Sequence, residues 1–255
     1  MKRDRRREAY KRGVRAGMLG FFCAVCFLSA GPLRIMPLGD SITAGSDGTY
    51  NGYRAWLREM LTAAGYEVEF VGDLGSAPDR HEGHVSWTIG DLSGEMPLPA
   101  IRHQTENYDL RDVLTRHQPD VILMMIGTND VLNYPGHTID RIVFRLSHLV
   151  DTVYRALPDV TLFAATLTPW ADDNSAAALM ADNYNRCLRS LVTSKNAEGA
   201  HMVFVNMHES ILGTEVYEYD VHPHDPGYRK MARYWFVTLK AWLQASDELI
   251  DILIF

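Results

Sequence analysis

The sequence predicts an α/β fold: a three-layer sandwich with helices on both faces of a five-stranded parallel sheet. Two observations carry that expectation. Beyond residue 30, apolar runs of strand length alternate with longer segments of helical period. Each polar, chemistry-bearing cluster also falls just after the carboxyl end of an expected strand, the edge where open parallel sheets bind ligands. The strands are expected at Leu33–Leu38, Glu67–Val71, Val121–Ile126, Val160–Thr166 and Met202–Asn206. Between them, Tyr53–Ala64 carries Trp56, Leu57, Met60 and Leu61 at helical spacing, and Asp140–Leu157 carries Ile142, Val143, Leu146, Leu149, Val150 and Val153. Ala176–Ser194 and Gly227–Gln244 read as further helices, the last entered through Pro226. Gly72 to Pro99 is broken by glycines and prolines and reads as a long loop, a length that is usually functional.

A chain of 255 residues with 47% hydrophobic content supports one sizeable core, so residues 31–255 are expected to form a single domain. Its net charge of -7 hides an asymmetry: residues 1–15 carry +6, and the remaining 240 carry -13. A body that acidic argues against nucleic acid, whose recognition requires a basic face. The basic arm precedes an uncharged run from Ala16 to Ala30, the pattern of a signal peptide. That run is shorter than the roughly 20 residues of a membrane span. Residues 1–30 are therefore expected to be a cleaved signal peptide, giving a secreted protein. A retained signal anchor, with the domain outside, is the alternative, and a membrane partner is expected only in that case; a misread start codon is the third reading. Cys23 and Cys26 lie inside the apolar run and Cys187 has no obvious partner, so no disulfide framework is implied.

The first strand empties into Gly39-Asp40-Ser41-Ile42-Thr43. A serine exposed where a strand ends, among small residues that let a carbonyl approach the backbone, points to acyl transfer. The same residues also serve as a plain helix N-cap or serine turn. The third strand ends in Gly127-Thr128-Asn129-Asp130, and the fifth precedes Asp220-Val221-His222-Pro223-His224-Asp225. His81, Glu82 and His84 make only a weak metal signal without a third convergent ligand.

These blocks together resemble an SGNH (GDSL-type) hydrolase: the Ser block is Gly39-Asp40-Ser41, the Asn block Gly127-Thr128-Asn129-Asp130, and the His block ends at His222-Pro223. The stretches Arg34–Ser41 and His81–Ile89 resemble the acetylxylan-esterase branch, carbohydrate esterase family 3. The resemblance implies a flavodoxin-like SGNH fold and no cofactor or metal. It implies Ser41 as nucleophile, His222 as general base, and an oxyanion hole from the N–H groups of Ser41 and Ser86 and the Asn129 amide. Two positions depart from the family pattern. Ser86 stands where the family's second block has glycine; should that position need a left-handed φ, serine costs about 1 kcal/mol or more. The family's acid lies three residues before the histidine, where this chain has Tyr219; Asp220 is the candidate acid, with Glu218 and a backbone carbonyl behind it.

The expected activity is hydrolysis of small acyl esters, chiefly acetyl, on a small-molecule or polysaccharide substrate through an acyl-enzyme. A lipid-ester or thioester hydrolase is one alternative. A catalytically impaired glycan-binding pseudo-esterase is the other. Candidate substrate contacts are Asp40, Trp87, Tyr134 and His224, with Trp87 read equally as core.

Overall fold

Seven consecutive residues, Leu33–Gly39, form β1, and from Ile35 onward all are buried. The computed structural model describes residues 31–45, 51–94, 108–132, 138–171, 175–216 and 221–254, the last eight of these by backbone alone. The expected arm and signal segment (1–30), Tyr134, and the acid candidates Glu218 and Asp220, like Tyr219, lie outside them. The other strands are β2 (Val68–Phe70), β3 (Glu82–Gly83), β4 (Val121–Met125), β5 (Thr161–Ala165) and β6 (Met202–Val205). All pairings are parallel and the order is β2-β1-β4-β5-β6. The central strands β4 and β5 are buried at every residue, as expected for strands covered on both faces.

The two-residue β3 is one strand more than the sequence predicts, and Pro37 accounts for it. Ile35 and Gly39 accept from Val71 N and His84 N, so the alternating backbone of β1 turns residues 35, 37 and 39 toward that edge. Pro37 has no N–H to donate there. The edge position is filled by β2 opposite Leu33–Ile35 and, beyond the proline, by β3 opposite Leu38–Gly39. The sheet is thus five strands wide.

Eight helices are described: α1 (Ser41–Ala44), α2 (Arg54–Ala63), α3 (Ile89–Ser93), α4 (Leu110–His117), α5 (Thr128–Leu132), α6 (Ile139–Ala156), α7 (Ala176–Ala197) and α8 (Asp225–Ile254). One face of the sheet (Met36, Leu38, Ile122, Met124, Leu162, Ala164) packs in a single apolar cluster with side chains of α3, α4, α6 and α7. Ile142, Leu146, Leu149, Val150 and Val153 form the buried stripe of α6. Ile35, Leu123 and Phe163 alternate to the opposite face, which leaves the buried Leu57 and Leu61 of α2 and Tyr228, Met231 and Trp235 of α8 to cover it. Tyr53 and Trp235 meet there at 6.0 Å. The chain divides into a unit Pro32–Lys240, which holds the sheet, and a second that includes α8 from Ala241 onward.

Three sequence expectations need correction. The expected loop of Gly72 to Pro99 carries regular structure in its described part, residues 72–94: His81 pairs back onto Leu74, and β3 and α3 follow. α4, capped by Asp109 on Arg111 N, went unpredicted because its apolar stripe, Leu110, Val113 and Leu114, is short. α8 starts two residues earlier and runs ten residues further than the 227–244 pattern, since the helix-compatible Ala245–Glu248 leads into a second, mostly apolar run from Leu249 to Ile254.

Candidate active site

The strand order reverses between β1 and β4, and the residues that leave those two strands are Ser41 and Asn129. Such a switch point opens a crevice at the carboxyl edge of the sheet. Ser41 begins α1, a single turn whose first N–H groups are ordered by Asp40: the Asp40 Oδ1 accepts from Ile42 N at 2.9 Å. A Cβ at Gly39 would overlap the Met125 carbonyl, so only glycine lets β1 and β4 close this tightly under the serine. The other end of α1 is held by Arg54, a buried guanidinium that donates to the carbonyls of Thr43 and Ala44 and to Asp79 O. Sequence reasoning missed Arg54, because nothing local marks a buried arginine.

His222 arrives from the far end of the chain, and its Nε2 stands 2.7 Å from the Ser41 Oγ. Its loop is pinned at the base by a Val216–Pro223 bridge and by His224 N donating to Glu215 O at 2.8 Å. His224 itself sits beside the Glu215 carboxylate, which Lys230 and the Leu212 N–H hold below its usual range.

The third component is the segment 82–91, which runs alongside β1 through β3. Ser86 adopts φ 65, the left-handed conformation that glycine would take without strain. Neighbouring groups hold it there. Asn129 Nδ2 donates to Trp87 O at 2.9 Å, and the Asp130 carboxylate accepts from Ile89 N at 2.9 Å. A capping box follows, with Thr88 N and Oγ1 both donating to Asp91 Oδ2. On the outer side the His84 ring stacks on Trp87 with centroids 3.8 Å apart, and His84 Nε2 lies 2.7 Å from the buried Glu82 carboxylate. Sequence reasoning also missed Asp130, Asp91 and Glu82 as supports of this segment. The Thr88-x-x-Asp91 spacing was the available signal.

Two candidate substrate contacts are largely enclosed: Asp40 is fully buried, and Trp87, packed against His84 and Tyr108, keeps only a small surface, on the cleft beside the site. The histidines of the weak metal signal are engaged in the same segment. His81 Nδ1 accepts from Gly83 N, and burial with nearby Arg54 and His84 pushes its pKa down to about 3. Among the described residues no three metal-ligating side chains converge.

Ser86→Gly relieves the left-handed strain while raising the entropy of the unfolded chain, so the net is expected to be a stabilisation of about 1 kcal/mol or less. Thermal melting reads it; a lower melting temperature would mean that the serine side chain contributes more than its backbone loses.

Burial drives two carboxyls up: Asp130 to about 7 and Asp40 to about 6, against 3.8 for a free aspartate. Their contribution to stability is complete below pH 3.8, where folded and unfolded chains both carry the proton. It is lost as pH rises toward 7, where the unfolded chain has released protons that the fold retains. Asp130→Asn should therefore gain melting temperature relative to the parent as pH rises from about 4 to about 7. A difference that does not vary with pH would refute the raised value.

Residues 38–230, about three quarters of the chain, match the model of the GDSL-like lipase/acylhydrolase family. The chain belongs to that family. Among curated relatives, a multidomain esterase of Ruminococcus flavefaciens is 30% identical over 236 residues, 86% of this chain and 30% of the relative. A protein of Acetivibrio thermocellus named putative endoglucanase X is 29% identical over 146 residues, 54% of this chain and 56% of that one. The chain thus spans less than two thirds of either. Of solved structures, a Clostridium thermocellum family 3 carbohydrate esterase superposes with a TM-score of 0.67 at 29% identity, over 84% of this chain and 98% of that one. A family 3 carbohydrate esterase from Talaromyces cellulolyticus shares the fold, with a TM-score of 0.68 at 20% identity over 85% and 99%.

Proposed function

We propose that this GDSL-like protein is a serine esterase that removes small acyl groups, acetyl above all, from carbohydrate. The observation that carries the reading is the 2.7 Å approach of Ser41 Oγ to His222 Nε2 at the mouth of the switch-point crevice. His222 takes the Oγ proton as Ser41 attacks the ester carbonyl, then returns it to the leaving sugar hydroxyl. Water, deprotonated by the same imidazole, attacks the acyl-serine and releases the acid. The oxyanion is received by the N–H groups of Ser41 and Ser86 and the free proton of the Asn129 amide. The orienting acid is assigned to Asp220, two residues before His222 in the chain. The likeness to family 3 carbohydrate esterases supports an acetylated glycan as substrate, and the arm and apolar run of residues 1–30 support export of the domain to where such glycans lie.

A cleft of about 360 Å³ lies beside this site, bounded by Ala44, Gly75, His81, Gly83, His84 and Trp87. Its size suits a small ligand. Hydrolysis of p-nitrophenyl esters is therefore expected to fall about ten-fold or more from acetate to octanoate, since a cleft of this size leaves most of the extra methylenes in water while binding still orders them. Acetate release from acetylated xylan tests the substrate directly. Activity that climbs with chain length would transfer the protein to the lipid-ester reading.

A further inference from the structure

A second cleft, of about 500 Å³, opens beside the edge strand β6, between α7 and the turn that follows the strand. Arg186 and Arg189 of α7 line it with Asp182, and across from them stand Phe204, His208 and Glu209. Four described arginines pair with carboxylates, Arg34 with Glu69, Arg58 with Asp79, Arg111 with Asp109 and Arg116 with Asp73. Arg186 and Arg189 pair with none among the described residues, although Asp182 and Glu209 line the same cleft. Asp182 and Arg186 have the four-residue spacing that ordinarily pairs on a helix, yet Arg186 bonds the Asn183 side chain, and neither Asp182 nor Glu209 forms an ion pair among the described residues. Arg189 Cζ stands 4.0 Å from the centroid of the Phe204 ring, a cation–π contact that holds the guanidinium at the cleft wall. His208 Nδ1 is buried without a hydrogen-bond partner.

We propose that this cleft is a distal subsite for a neutral oligosaccharide, an inference that rests on the carbohydrate-esterase reading and extends it. Donors and acceptors stand apart around the void in near balance of charge. An anion would meet Asp182 and Glu209, and a cation would meet two guanidiniums. Sugar hydroxyls, which donate and accept at once, satisfy both sets. His208 and Glu209 follow β6 at the same sheet edge that Ser41 occupies after β1, three strand steps away, or about 14 Å. A ligand that reaches both places is a chain of several sugars, and binding so far from the reacting ester lowers KM without touching the chemical step.

The test compares the parent with Arg189→Ala and Asp182→Ala. Unacetylated xylohexaose is titrated by calorimetry, and steady-state rates are measured on acetylated xylan and on p-nitrophenyl acetate. Expected are loss of the xylohexaose heat, a rise of about ten-fold in KM for the polymer at unchanged kcat, and unaltered p-nitrophenyl acetate kinetics, which also report an intact fold. Unchanged polymer KM in both variants would overturn the subsite and leave the esterase reading untouched, as would a parent that deacetylates the polymer but binds no xylohexaose. A parent that binds xylohexaose through these residues yet releases no acetate from the polymer would sink the esterase reading on glycans and uphold the subsite.

Discussion

Ser41→Ala is expected to lower kcat for p-nitrophenyl acetate by on the order of 10⁵–10⁶, with the melting temperature moved by only a few degrees. The reason is geometric. The Oγ is the atom that bonds the acyl carbon in the proposed mechanism, and it stands 2.7 Å from the imidazole that takes its proton. Its removal strips the covalent route while the oxyanion donors stay in place, so a residual rate well above water is expected. Little in the fold depends on the hydroxyl, because α1 is anchored at its start by Asp40 and at its end by Arg54. Retained turnover would dismiss Ser41 as the nucleophile; a collapsed melting transition would show that the Ser41–His222 contact serves chiefly to hold the His222 loop.

Asn129→Ala should cost about 10²–10³ in kcat with KM little changed. A primary amide carries two protons. One is committed to Trp87 O, and the other is free for the developing oxyanion. The committed bond fixes the amide plane, which is what makes the free proton a preorganised donor. Because the same bond supports the Ser86 segment, Asn129→Asp is the sharper comparison: it keeps the shape, puts negative charge where negative charge must develop, and should be slower than the alanine variant. Equal rates for the two would exclude a role for Asn129 in stabilising the oxyanion.

Much of this was legible in the chain. The five wide positions of the sheet, α2, α6 and α7 follow from apolar periodicity, a local property that survives any arrangement of neighbours. The Gly39-Asp40-Ser41 and Gly127–Asp130 blocks were legible because each is turn chemistry at a strand end, and His222-Pro223 because it resembles the family's His block. What stayed hidden depends on burial and on partners that only the fold aligns. Pro37 reads as one more residue of a strand, and its effect on the edge exists only because β2 and β3 approach that side. Arg54, Glu82 and Asp130 look like surface charges until the fold encloses them and supplies Thr43 O, His84 and Ile89 N as partners.

By itself the sequence determined the fold class, the family and which blocks meet at the carboxyl edge, since strand period and turn residues are written within a few neighbouring positions. Only the tertiary structure decided that Ser86 sits at φ 65, that Asn129 and Asp130 clamp its segment, that Trp87 faces His84 and Tyr108 rather than solvent, and that Ser41 and His222 come within reach of a shared proton. Apart from the Ser86 dihedral and the His84–Trp87 stack, each of those facts is a contact between remote segments. Such contacts are set by how the layers pack, and no local pattern encodes them.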